Sequence, residues 1–400
     1  MSQSQPSNTE QLSEQEHRGD ADTDKKPKNR RPANTAFRQQ RLKAWQPILT
    51  PRSVLPLFFV VGVIFAPIGG LLLWASSTVQ ELVIDYSNCK DVTNAESIPD
   101  GKFEYSFKSS YGQRPSWQGV ADEHGALCRL MFDIPNTLEP PVFLYYRLTN
   151  FYQNHRRYVK SLDIDQLKGK AVDNGTIKGG SCDPLRLDPN GKAYYPCGLI
   201  ANSMFNDTIN SPVLINDRGG EAETYNMTKK GIAWDSDKEL IRKTSYQPGQ
   251  VVPPPNWQER FSYDTEIPNL HEDEDFMVWM RTAALPTFSK LSRRNDDKAM
   301  SAGRYQLDIR DHFPVTEYGG TKSIIISTRT VLGGQNPFMG IAYVVVGGVC
   351  VLLGALFTIA HIFRPRKLGD HTYLTWNNEG DTGSTAITTG RDERSGPHSH

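Results

Sequence analysis

The sequence predicts a membrane protein in which two transmembrane α-helices flank a large, mostly-β ectodomain. That ectodomain is expected to be an antiparallel sandwich of α+β type with short helices, disulfide-bonded and glycosylated. Three observations lead there. Two long uncharged apolar blocks stand out in a chain whose mean hydropathy is −0.52. Basic residues crowd the outer flank of each block, and four cysteines and three glycosylation sequons lie between them.

Residues 1–33 are rich in Gln, Ser, Glu, Asp and Lys, and the stretch after Asn377 in Gly, Thr, Ser, Arg and His. Neither buries enough apolar surface to offset its ordering entropy, so both ends read as disordered tails. Residues 34–53 form a juxtamembrane segment, NTAFRQQRLKAWQP, that joins basic and aromatic residues. Asn34 or Thr35 would cap a short helix there, Pro47 would end it, and Phe37, Arg41 and Trp45 would share one face. Such a face suits a membrane surface or a cytosolic contact with a partner.

The first apolar block, VLPLFFVVGVIFAPIGGLLLWA, begins at Val54, and the second, FMGIAYVVVGGVCVLLGALFTIA, begins at Phe338. A hydrocarbon core about 30 Å thick needs roughly 20 apolar residues in a helix, so spans are expected at 54–76 and 338–362. A long polar segment before the first block, with no small-residue cleavage site, argues against a signal peptide. Arg38, Arg41, Lys43 and Arg52 precede the first span, and Arg364, Arg366 and Lys367 follow the second. Positive flanks belong in the cytosol. Both termini, including the tail 363–400, are therefore expected there, and 77–337 is expected on the lumenal or extracellular side.

The cysteines agree with that placement. Cys89, Cys128, Cys182 and Cys197 lie in 77–337, an even number suited to an oxidising compartment, whereas Cys350 lies in the second span. Four cysteines allow three pairings. Local closure favours Cys89–Cys128 and Cys182–Cys197, and a loop as short as the second contributes on the order of 3 kcal/mol. The spacings match no CxxC zinc pattern. Complete N-x-S/T sequons occur at Asn174, Asn206 and Asn226, all in the same region, which implies N-linked glycans.

Within 77–337, KFEYSFK, GRYQLDIRD and DFMVWMR alternate apolar and polar residues and read as half-buried strands, as does the β-branched run KSIIIST. Asn150 onward, NFYQNHRRYVKS, reads as a short helix after a strand at 142–147. The stretch SYQPGQVVPPPNWQER reads as an irregular connection. HEDED, His271 to Asp275, lacks the glycine and ligand periodicity of a calcium loop and reads as a solvated acidic turn.

Chemistry is hard to find. No P-loop, HExxH, G-x-S-x-G or Gly-rich dinucleotide loop is present, so no catalytic residue, metal site or bound cofactor is expected. Lys+Arg and Asp+Glu are both 45, which gives no reason to expect nucleic acid. Neither apolar block, ending at Ala75 and Ala360, carries an acidic or basic residue of the kind that lines ion pathways, so the chain is not expected to translocate anything itself. Gly62, Ala66 and Gly70 recur every four residues, with Pro67 beside them, and Gly340, Gly347, Gly348 and Gly354 dot the second span. Small faces of this kind let helices approach closely, which suits docking against a larger membrane protein.

At this point five stretches taken together carry a resemblance: NTAFRQQRLKAWQPILTP, FLYYRLTNFYQNHRRYVKS, PCGLIANSMFNDTI, DFMVWMRTAALPTFSKL and VLGGQNPFMGIAYVVVGG. They closely resemble signature stretches of the cell cycle control protein fifty / ligand-effect modulator family, in order, from Asn34 to about Arg366. That family comprises β-subunits of type-four P-type ATPases, the lipid flippases. The resemblance implies a non-catalytic subunit that forms a heterodimer with the catalytic ATPase. Such a subunit supports the ATPase's folding and exit from the endoplasmic reticulum, and permits ATP-driven movement of aminophospholipids such as phosphatidylserine or phosphatidylethanolamine to the cytosolic leaflet. It implies residence in the endoplasmic reticulum, Golgi, endosomes or plasma membrane. It also carries family disulfides onto Cys89–Cys128 and Cys182–Cys197, and a typical sequon onto Asn206. The D-K-T-G-T phosphorylation motif of P-type ATPases is absent. An alternative with the same layout is a two-span ligand-gated channel subunit, which assembly as a homotrimer would distinguish.

Overall fold

The computed structural model describes residues 34–42, 50–110, 112–122, 125–215, 222–328 and 334–365. Two long helices, α1 (Pro51–Ser77) and, last in the chain, α8 (Phe338–Phe363), are long and apolar enough to cross a membrane. α1 runs past both ends of its expected span and α8 one residue past the end of its own, and Pro56 and Pro67 lie inside α1. The alternation in the sequence turns into twelve strands among the described residues. In chain order these are β1 (Glu81–Asp85), β2 (Glu96–Ser97), β3 (Phe103–Ser106), β4 (Ser116–Asp122), β5 (Gly125–Ile134), β6 (Val142–Leu148), β7 (Thr208–Ile209), β8 (Val213–Ile215), β9 (Glu223–Thr224), β10 (Phe288–Asn295), β11 (Gly303–Arg310) and β12 (Lys322–Thr328). Short helices α2 (Arg156–Lys160), α3 (Ile164–Leu167), α4 (Asn174–Gly179), α5 (Leu199–Asn202), α6 (Asp235–Leu240) and α7 (Glu274–Met280) fill the long connections.

All strand pairings are antiparallel and fall into two sheets. One runs β10-β6-β12-β1-β3, and the other β2-β4-β5-β11-β8-β9, with β7 also on β11. Leu82, Ile84, Leu144, Ile324 and Ile326 from the first sheet share one buried cluster with Leu130, Phe132, Leu307 and Ile309 from the second. The expected sandwich is therefore present. GRYQLDIRD behaves as its pattern says, with Tyr305, Leu307 and Ile309 buried on β11. KFEYSFK forms β3, but Tyr105 is exposed because β3 is an edge strand. A second buried cluster gathers residues of the connections, including Ile177, Tyr195, Trp257 and Phe276. The irregular stretch from Ser245 holds one 3-10 turn, Pro255–Trp257. The Asn150 stretch supplies α2, with Tyr158 buried and both arginines exposed.

Two readings of one neighbourhood are corrected. DFMVWMR is not a strand; it forms α7. Phe276, Met277, Val278 and Trp279 are all buried, so the run is apolar around its whole circumference and its alternation carries no strand signal. The helix start lies in the acidic residues just before it: the Asp273 side chain accepts from Phe276 N at 3.0 Å and caps the first turn. HEDED is accordingly a helix N-terminus rather than a solvated turn. Glu274 accepts from Ala233 N and pairs with Lys238, Asp275 pairs with Lys229, and His271 Nδ1 meets Ile241 O at 2.7 Å. Acids there also favour the helix dipole.

Residues 34–42 form a turn in place of the expected short helix. Thr35 Oγ1 does accept from Arg38 N at 3.2 Å, but Gln40 adopts a positive φ of 55°, which interrupts helical propagation. Trp45 and Pro47 lie outside the described residues.

Candidate functional site

The membrane helices meet along a seam of small residues spaced by seven. Gly62, Gly69 and Ser76 are buried on α1, and Gly340, Gly347 and Gly354 on α8. A seven-residue period keeps one narrow stripe facing its partner, and glycine in that stripe lets backbones touch. A Cβ at Gly347 would stand 3.0 Å from the backbone nitrogen of Ala66, and one at Gly69 would stand 2.9 Å from Gly340 O; one at Gly62 would overlap the Val351 side chain. Ring pairs flank the seam, Phe58–Phe357 at 5.8 Å and Phe65–Tyr343 at 5.0 Å between centroids. Of the four-residue stripe singled out in the sequence, Gly62 and Ala66 thus face the chain's own return helix. Gly70 has nothing within 4 Å of its notional Cβ, and the same holds for Gly348. Around those two positions the outer faces carry exposed Val63, Leu71, Trp74, Val345 and Leu352. The seven-residue spacing was legible in the sequence; the four-residue spacing that overlaps it at Gly62 drew attention away.

The pair is anchored to the centre of a sheet. β1 starts four residues after α1 ends, and its partner β12 leads towards α8. Gln80 N donates to Thr328 Oγ1 at 3.0 Å, Thr328 N donates to Gln80 O at 2.9 Å, and Asn336 N donates to Ser76 Oγ at 3.0 Å. Adjacent central strands thereby continue into adjacent membrane helices.

At the other end of β12 lies a charge cluster that sequence reading missed. Lys322, 1% exposed, reaches Asp207 Oδ2 and Asp311 Oδ1, each at 2.7 Å, and donates to Phe313 O at 2.8 Å. Tyr86 OH donates to Asp207 Oδ2 at 2.9 Å; burial first, and then the Asp207 charge, holds that phenol well above its usual range. Backbone N–H groups of His312 and Phe313 donate to Asp207 Oδ1. A lysine opening a strand gives no sequence signal of such burial, because Asp207, which completes the cluster, lies 115 residues away in the chain and meets it only on folding.

Lys290 on β10 is a second buried cation. Its ammonium donates to Val278 O at 2.9 Å, Trp279 O at 3.1 Å and Arg281 O, and so caps the C-terminal end of α7. Burial lowers its pKa to about 7, and the nearby Arg281 charge adds to that shift.

The cysteines pair as Cys89–Cys128 and Cys182–Cys197, each with Cα atoms 5.6 Å apart. The first joins the turn after β1 to β5 and so links the sheets; the second closes a loop in the second cluster. Cys350 carries a free thiol on α8. Of the sequon asparagines, Asn174 and Asn226 are exposed, at the start of α4 and beside β9, while Asn206 is half-buried between Phe205 and Asp207. Phe37 is exposed and Arg41 donates to Asn34 Oδ1 in the juxtamembrane turn. Among the described residues, no three His, Cys, Asp or Glu are placed to hold a metal ion.

With this architecture in hand, comparison with known proteins is decisive. The LEM3 (ligand-effect modulator 3) family / CDC50 family matches residues 72–367, from the end of α1 past the end of α8. The chain belongs to this family. It is 46% identical over 360 residues to the Saccharomyces cerevisiae protein described as phospholipid-transporting ATPase accessory subunit CRF1, covering 88% of this chain and 90% of that one. It is 43% identical to the Chaetomium thermophilum phospholipid-transporting ATPase accessory subunit CDC50, over 90% of this chain and 94% of the relative. It is also 41% identical to cell cycle control protein 50A of Mus musculus, over 84% and 91% of the two chains.

Proposed function

We propose that this CDC50-family chain is the non-catalytic accessory subunit of a phospholipid-transporting ATPase, a lipid flippase. The observation that carries this is its 46% identity to such a subunit along nine-tenths of that relative's length. The chain's own chemistry is consistent: its buried charges serve as structural ties, and its helix pair is closed on itself by glycines.

The finer reading assigns its partner and placement. The partner is the catalytic subunit of a type-four P-type ATPase, joined in a heterodimer. The central domain lies outside the cytosol with N-linked glycans at Asn174, Asn206 and Asn226, and both termini are cytosolic. The outer faces around Gly70 and Gly348 meet a partner helix, and the juxtamembrane residues Phe37, Arg41 and Trp45 meet its cytosolic end. Preferential binding to some conformations of the transport cycle would stabilise them, which is how a subunit without catalytic groups permits turnover. Aminophospholipids are the expected cargo of the complex, and the endoplasmic reticulum, Golgi, endosomes or plasma membrane its location.

The test is affinity purification of the full chain with mass spectrometry and native mass measurement. A one-to-one complex with a P-type ATPase, whose lipid-stimulated ATPase activity falls when this chain is removed, is the expected result. A homotrimer without an ATPase would overturn the reading in favour of a ligand-gated channel subunit.

A further inference from the structure

We propose that the carbohydrate on Asn206 is seated rather than free, its first sugars lying in a cavity of the central domain built beside the sequon. This rests on the reading of Asn206 as a glycosylated residue and adds where its glycan goes. Three observations carry it. First, Asn206 and Thr208 both line a cavity of about 510 Å³, a volume suited to one or two sugar rings. Second, the Asn206 side chain is turned in one direction. Its Oδ1 is buried with no hydrogen-bond partner among the described residues, whereas Nδ2 is not buried and has no protein partner there. An orphaned buried acceptor is destabilising, and the fold tolerates it while leaving unburied the one atom that bonds to a sugar C1.

Third, the attachment point cannot swing. The Phe205 ring stacks on Tyr146 with centroids 3.9 Å apart. On the other side, Asp207 is held by Lys322, Tyr86 and two backbone N–H groups. A glycan on so rigid a stalk loses little further freedom when it settles against a wall. That wall offers the donors and acceptors that hydroxyl and acetamido groups use, from Lys230, Arg260, Asn269 and Glu272, the last two bonded to each other at 2.7 Å. Seated there, the sugar bridges the segment before β7 to the residues that start α7.

Asn174 provides the internal contrast, because it stands exposed at the start of α4. The experiment uses the full-length glycoprotein in mild detergent. Occupancy at each sequon is first read by mass spectrometry. Peptide-N-glycosidase F then acts on the native protein, and conversion of each asparagine to aspartate is followed in time. Cleavage at Asn206 should run at least tenfold slower than at Asn174, with the difference vanishing after denaturation. The exposed rim substitutions Arg260→Ala and Glu272→Ala should speed cleavage at Asn206 severalfold and leave Asn174 unchanged. Equal native rates at the two sites would overturn the proposal. So would a slow rate at Asn206 that the rim substitutions do not alter, since this would place the protection in the half-buried asparagine and not in a seated sugar. Absence of any glycan at Asn206 in the occupancy measurement would overturn both the seat and the glycosylation reading beneath it.

Discussion

Along α1 and α8 the chain holds itself together with residues that have almost no side chain, whereas the sheets above them rely on large rings, disulfides and buried charge. Gly62, Gly69, Gly340 and Gly347 allow backbone-to-backbone approach, while Gly354 makes room for the Phe58 and Phe59 side chains. In the central domain Trp279, Tyr86 and Phe132 are wholly buried and Lys322 sits 1% exposed between two carboxylates. The difference follows from the solvent each region excludes. Where lipid tails are as apolar as leucine, burying a large side chain gains little and close packing decides. Where water is displaced, each buried aromatic contributes through transfer from water, and a charge must be paired. Each region should therefore fail under a different kind of substitution.

The largest effect is expected in the charge cluster. Lys322→Met keeps the stem but leaves Asp207 and Asp311 buried without a cation, which costs about 3–5 kcal/mol. Thermal unfolding of the purified protein, or its yield where unfolding is irreversible, should register this loss. Adding Asp207→Asn and Asp311→Asn should recover part of it, because the unpaired charges are then gone. Equal stability of the single and triple variants would show that the cluster is not coupled.

In the helix seam the damaging change is enlargement. Gly347→Leu forces the backbones apart at Ala66 and should cost on the order of 2 kcal/mol of helix pairing. Disulfide trapping between cysteines introduced at Phe58 and Phe357, whose rings pack together, would read the separation. Trapping as efficient as in the parent would mean that the glycines are not what closes the seam.

Lys290 gives a pH signature confined to the central domain. Its folded pKa, about 7, lies below the ordinary 10.5, so between those values the unfolded chain binds the extra proton. Stability should therefore rise with pH across that window, by at most about 1.4 kcal/mol per pH unit from this group. Below pH 7 both states are protonated and the dependence from Lys290 ends. Lys290→Met should flatten the slope; an unchanged slope would assign it to other groups.

The same contrast explains what the sequence revealed. Two apolar blocks and their basic flanks are local signals, and they yielded α1 and α8 directly. A period-two run yielded β11 and a β-branched run yielded β12, and local closure suggested the two disulfides found. DFMVWMR misled because an all-apolar run has no readable period, and its true signal, the Asp273 cap, stood in residues assigned to a turn. Lys322 and Lys290 were invisible for another reason: their partners at Asp207 and Val278 are brought close only by folding. The Asn206 cavity likewise combines residues near 206, 230, 260 and 272. Spacing within one helix was visible, yet which of two overlapping spacings faces inward depended on α8.

That last ambiguity supplies the smallest expected effect on the chain itself and the sharpest division between its two helix faces. Gly62 and Gly70 look alike in sequence, but only Gly62 faces α8, while Gly70 opens onto space. Gly70→Leu should leave helix pairing and thermal stability within about 0.5 kcal/mol of the parent, because the added side chain meets nothing in the chain. If a partner helix docks on that outer face, the same substitution should lower recovery of the ATPase in co-purification severalfold. Gly62→Leu instead should disturb the chain first and the complex only as a consequence. An undiminished complex with Gly70→Leu would move the docking face elsewhere on the pair and leave the inner seam as the sole role of the small residues in α1.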